Sequence, residues 1–304
     1  MSRWGNSRQL TAASYGLVKD HPGMYRWTVR AAVLGAIVGG IGALVGVGLI
    51  VAGVLAVDRD KEVLGALAAV LGCLVLIAGV IAGLTAANRQ LAGLVRTADD
   101  VLHGRPIDEH AARAAVRPHL RTLAAWSTIS AAVGALGSFI QGDDDSGMVA
   151  SIVRGVLAGL VATVWSVATT LVLPVIVLEH LGAIDAIKRS AGIIRSTWGE
   201  SVYGNIRIGA RFGLTFTLPG ILLVAGGVAL CVAVDGAVGI VGGGALVLVG
   251  VVLIVIGAVK VATCPSVFGV ALYRWATGEG ALGPFTDADL RDAVGTRAAA
   301  AIPA

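Results

Sequence analysis

Between Ala31 and Val57 the chain runs 27 residues without a charged or strongly polar side chain, and five more apolar runs follow. About 20 apolar residues are needed to cross a ~30 Å hydrocarbon layer, whereas a buried helix of a soluble protein rarely needs more than ~14. We read spans at 31–57, 63–87, 122–140, 155–178, 212–234 and 237–259, each bounded by charges or turn residues. The predicted fold class is therefore all-α, a polytopic transmembrane helical bundle of about six spans. The first run is about twice the ~7–15 residues of a signal-peptide core. It also lies behind a 30-residue hydrophilic leader, so it is expected to be a retained helix.

Glycine punctuates the apolar runs with a helical period. Gly35, Gly39, Gly42, Gly46 and Gly53 share one face of span one. Gly65, Gly72 and Gly79 recur every seven residues in span two, with Ala69, Gly83 and Ala86 on the same face. Five residues join the two spans, which predicts an antiparallel hairpin whose small faces let the backbones approach closely. Gly243, Gly250 and Gly257 repeat the pattern in span six. Packing within the chain is the default for these stripes, and a homodimer seam is the alternative.

The segments between the spans are patterned too. Leu91, Leu94, Val95, Ala98, Val101 and Leu102 recur at helical spacing, with Arg89, Arg96, Asp99 and Asp100 mostly elsewhere on the wheel. Gly104 and Pro106 should end that helix, and Asp108 should cap the next, which runs to about Val116 before Pro118. Ile184, Ile187, Ala191, Ile194 and Trp198 form a narrow stripe, with Lys188, Arg189 and Arg195 on other faces. A basic amphipathic helix beside a span is expected in the interface, its cations near anionic headgroups. Residues 10–18 follow the same logic, and Trp4, Tyr25 and Trp27 suit an interfacial belt. Amphipathic segments near 8–20, 108–118 and 183–196 each precede a hairpin, with Trp27, Trp126 and Trp198 near the junctions. Either a loose threefold repeat or convergent use of interfacial aromatics accounts for this.

Charge adds orientation. Of 23 lysines and arginines, 19 fall in the N-terminus, the loops 88–121 and 179–211, and the C-terminus. The other side has Arg59, Lys61 and Arg154, in short acidic loops with Asp58, Asp60, Glu62, Asp143 to Asp145 and Asp235; Lys260 lies near the end of span six. The positive-inside bias thus predicts cytoplasmic termini and cytoplasmic long loops carrying the amphipathic helices. The whole chain is 56% hydrophobic and 14% charged, far below the ~25% charge of soluble domains.

Candidate chemistry is sparse. Cys73, Cys231 and Cys264 lie in apolar stretches without CxxC spacing, as small buried hydrophobes do. None of the five histidines has the i, i+4 spacing of a helical metal site, and no GxSxG, HExxH or P-loop occurs. No catalytic residue, metal or cofactor is therefore expected. Glu179 and Lys260 could pair across the bundle as a gate or proton site, or simply reach the interface from span ends. Pro174 in span four and Pro219 in span five could expose carbonyls to a substrate, with Thr169, Thr170, Thr215 and Thr217 near them.

Residues Leu102-His103-Gly104, Trp126, Ala132-Val133-Gly134 and Trp165 open a run of motifs. It continues through Pro174 to Glu179, Ala186 to Ser190 and Thr197 to Glu200, and closes with Leu272-Tyr273-Arg274, Thr277-Gly278 and Phe285. With these motifs, roughly residues 100–285 resemble a family of uncharacterised bacterial integral membrane proteins of about six helices. The resemblance implies a membrane class and topology and brings no catalytic residues. The expected organisation is an amphipathic segment over 1–30, a six-span domain over 31–285 and a flexible tail over 286–304. The expected role is non-enzymatic: membrane organisation, or an accessory subunit of a membrane complex in the bacterial plasma membrane. Lys188, Arg189, Arg195 and Trp198 are the expected membrane-interface residues. Anionic lipid is the expected partner, with a membrane protein or a second copy next, and no nucleic acid. A small-solute transporter or channel working around Pro174 and Pro219 is the alternative.

Overall fold

The computed structural model describes residues 13–57, 61–141, 148–198, 215, 217–234 and 236–294. Among these residues every regular element is helical. A helix α1 over 13–20 leads into α2 (Gly23–Val57), α3 (Glu62–Leu102), α4 (Glu109–Val116) and α5 (Leu120–Gln141). There follow α6 (Met148–Ala168), α7 (Val172–Leu178), α8 (Ala183–Trp198), α9 (Leu218–Ala233), α10 (Ala237–Ala276) and α11 (Asp287–Val294). Five helical stretches are long and apolar enough to cross a membrane: Gly23–Val57, Glu62–Leu102, Glu109–Phe139, Leu157–Leu178 and Val241–Ala276. Leu218–Cys231 is a shorter apolar helix in the place of span five, whose predicted start at 212–214 lies outside the described residues. Arg59, the acidic loop residues Asp58, Asp60, Asp143 to Asp145 and Asp235, and Trp4 lie outside them as well.

The chain divides into two compact units, one of residues 29–97 and 107–194, the other of 1–28, 98–106 and 195–304. In the first, α2 and α3 form the antiparallel hairpin that the glycine period predicts. A Cβ added at Gly53 would stand 2.6 Å from the Gly65 carbonyl oxygen, and one at Gly72 would stand 2.7 Å from that of Gly46. The backbones therefore touch along this seam, and only a hydrogen atom fits between them. The outer faces are oily and bare: Leu44 is 78% exposed, Val63 77% and Leu67 63%. Water would penalise each such side chain by about 1.5–3 kcal/mol relative to burial, and lipid removes the penalty. Together with the helix lengths, this surface is that of an integral membrane protein.

Several boundaries move from their predicted places. Span two and the amphipathic segment after it form one 41-residue helix, about 60 Å long. Nothing between Ala87 and Leu91 breaks it, and the Asn88 amide donates to the Ser127 hydroxyl on α5 (2.9 Å) instead of capping an end. Span four, by contrast, is broken by a turn over Thr169–Leu171, between α6 and α7. Asp108 caps α4 as expected, accepting from the backbone N–H of His110 (2.8 Å) and Ala111 (3.0 Å). Those two hydrogen bonds hold its carboxyl below the usual aspartate range. Trp126 of α5 and Trp165 of α6 stack with ring centroids 5.8 Å apart, joining two residues of the family motifs.

In the second unit α9 and α10 form another hairpin with glycine at its contacts, Gly227 against Gly243 and Gly220 against Gly250. Span six does not stop near Val259: α10 continues to Ala276 with Pro265 inside it. Its last turns carry a core of Val267, Phe268, Val270, Ala271 and Leu272. Beyond Phe285 the expected flexible tail instead holds α11. Phe285 packs on Phe268, Leu290 is fully buried, and the Trp275 indole N–H donates to Asp287 (3.0 Å).

Candidate functional site

The polar chemistry of the first unit gathers at the corner made by α6, α7 and α8. The turn after α6 leaves backbone groups without helical partners, and one serine supplies two of them. The Ser190 hydroxyl donates to the Ala168 carbonyl (2.7 Å) and accepts from the Leu171 N–H (3.2 Å). Thr169 and Thr170 donate back to the carbonyls of Trp165 (2.6 Å) and Ser166 (2.8 Å). Pro174 is the third residue of α7, where a backbone N–H has no intrahelical acceptor in any case. The proline thus starts a helix rather than opening one. Pro219 differs: Thr215 and Thr217 before it are already helical, so it follows helical backbone instead of starting it. Pro265 sits inside α10.

Glu179 closes α7 and accepts from the Arg189 Nε at 3.0 and 3.1 Å. Lys260, in the other unit, lies with its Nζ 5.3 Å from the Tyr15 ring centroid, a cation–π distance. Each of the two groups considered for a gate thus has a neighbour within its own unit. His180 follows Glu179 in the left-handed region (φ 59°), at the position after a helix cap where glycine is usual. That conformation costs a non-glycine residue roughly 1–2 kcal/mol. Its Nδ1 lies 3.0 Å from Nε2 of His119, which is 8% exposed and ends the short helical turn Arg117–His119 just before α5; the ring planes are 16° apart.

Helix α8 does not bury the stripe its hydropathy suggests. Ala183, Ala186, Ser190, Ile193 and Ile194 are buried, whereas Ile184 is 62% exposed. The inward face is set by small residues and by the Ser190 bonds. The neighbouring row, with Ile184, Lys188 and Arg195, is left open, and Trp198 is the last residue of the helix. Lys188 reaches Asp185 at 3.9 Å, and both side chains are mostly exposed.

The second unit holds a cluster that sequence reasoning missed. Asp99 is fully buried, although its place on the wheel suggested a solvated face. Arg274 Nε donates to it at 2.7 Å and Arg105 at 3.2 Å; Arg105 also holds Asp100 (2.8 Å). Glu279 receives Arg274 and approaches His103 at 3.3 Å. A usable signal existed. Two aspartates in the last turn of a helix oppose its dipole unless cations neutralise them. Among the described residues no group of three or more metal-ligating side chains occurs.

Residues 102–283, about three-fifths of the chain, match the family described as "Family of unknown function (DUF6159)". The chain belongs to this family. The match takes in the α6–α8 corner, the His119–His180 pair and Arg274, and leaves out the α2–α3 hairpin up to its last residue, Leu102. No curated protein and no solved structure matches the chain.

Proposed function

We propose that this is a non-enzymatic, multi-pass protein of the bacterial plasma membrane, with cytoplasmic termini, that presents α8 to anionic lipid. Its work on this reading is membrane organisation, or service as an accessory subunit beside a second membrane protein. The observation that carries the proposal is the division of α8 into two rows. The buried row is held to the α6–α7 turn by Ser190, so the helix cannot roll. The open row offers exposed Ile184 followed by the cations Lys188 and Arg195, the composition of a helix that rests in headgroups. Each lysine or arginine near an anionic surface contributes about 1 kcal/mol. The transporter alternative loses support at Pro174, which starts α7 and frees no backbone group in mid-helix.

The test uses the full chain in nanodiscs with an environment-sensitive dye at Ile184→Cys. Adding anionic lipid to a zwitterionic disc should shift the emission blue, and Lys188→Glu with Arg195→Glu should cancel most of the shift. A signal indifferent to lipid charge would refute the assignment of α8.

A further inference from the structure

We propose that His119 and His180 form a proton-sensitive clasp that fixes the corner before α8 and opens as the pH falls. The two nitrogens stand at 3.0 Å, so one imidazole donates a proton and the other accepts with a lone pair. The contact therefore requires at least one of the facing nitrogens to be unprotonated. A second proton on the pair leaves two N–H groups and two positive charges facing each other, and the hydrogen bond is lost. His180 is solvent-exposed and can exchange protons with the bulk directly.

What the clasp holds is a backbone that has reason to leave. His180 occupies the left-handed region, unfavourable for a side chain with a Cβ, and only contacts from elsewhere keep it there. Three residues later α8 begins. Opening lets His180 relax and frees the turn that sets the first residues of α8. The surrounding charges do not replace the pair. On the α5 side Arg117 and Arg121 flank His119, and both are exposed. On the α7–α8 side Glu179 is held by Arg189, and Asp185 approaches Lys188. The sequence hides the pair completely, because 61 residues separate its members. The clasp stands on this geometry whether or not α8 meets lipid.

Hydrogen–deuterium exchange of the full chain in nanodiscs tests it, followed at amides 180–187 and corrected for intrinsic exchange. The opened corner binds one proton more than the closed one. Between pH 7.5 and 5.5, one unit below the ordinary histidine value, opening should therefore rise about tenfold. His180→Asn tolerates the left-handed backbone and keeps a hydrogen-bonding amide, and His119→Gln keeps one on the other side. Both variants should show the same protection at the two pH values. A wild-type chain with pH-independent protection here, or either variant with the wild-type pH response, would overturn the clasp.

Discussion

At the scale of the residue, single side chains decide where the long helices break and what seals the break. Ser190 is fully buried and serves both a carbonyl and an N–H that α6 and α7 leave over. Ser190→Ala should lower stability by about 1–3 kcal/mol, the cost of a buried polar group left alone. Ser138 is the control: its exposed hydroxyl bonds only to the Gly134 carbonyl one turn back (3.2 Å), so Ser138→Ala should be near neutral. Thermal unfolding in detergent distinguishes the two, and equal losses would contradict the role given to Ser190. Asp99 teaches the complementary lesson. A carboxylate that hydropathy assigns to water is buried, because Arg274, 175 residues away, reaches it at 2.7 Å.

At the scale of the element, small residues set the helix–helix seams. Lipid gives no hydrophobic reason for two oily helices to associate, so close packing carries the α2–α3 hairpin. Gly46 meets the carbonyl of Gly72 at a virtual Cβ distance of 2.8 Å, whereas a Cβ on Gly48 meets nothing within 4 Å. Gly46→Ala and Gly72→Ala should therefore cost about 1–3 kcal/mol through overpacking. Gly48→Ala should gain up to about 1 kcal/mol of helix propensity. Unfolding midpoints of the three variants check the order, and a Gly46→Ala chain as stable as Gly48→Ala would refute the seam. The glycine period is legible in the sequence because a seam follows the local helical repeat. The length of α3 and the extension of α10 are not, because both depend on whether neighbours satisfy polar groups that otherwise end a helix.

At the scale of the whole molecule, the distribution of cations bears on orientation. With 19 of 23 lysines and arginines in the termini and the α3–α5 and α7–α9 connections, these segments are expected in the cytoplasm. Membrane-impermeant maleimide on intact cells tests this with Ala111→Cys in α4 and Glu62→Cys at the start of α3. Position 62 should react from outside, and position 111 only after permeabilisation. The reverse pattern would invert the topology and place α8 against the wrong leaflet.

Hydropathy runs, glycine periods and caps such as Asp108 act over a few neighbouring residues, so the chain alone determined an all-helical membrane class, the α2–α3 hairpin and the start of α4. Which face of α8 turns inward, where Asp99 finds its cations and how His119 meets His180 belong to the tertiary structure. Each joins groups distant in the chain, and a hydrogen bond or ion pair depends on position to within a fraction of an ångström. No local pattern encodes that. The solvent preference of a segment is a property of the segment, whereas the partner of a polar atom is a property of the fold.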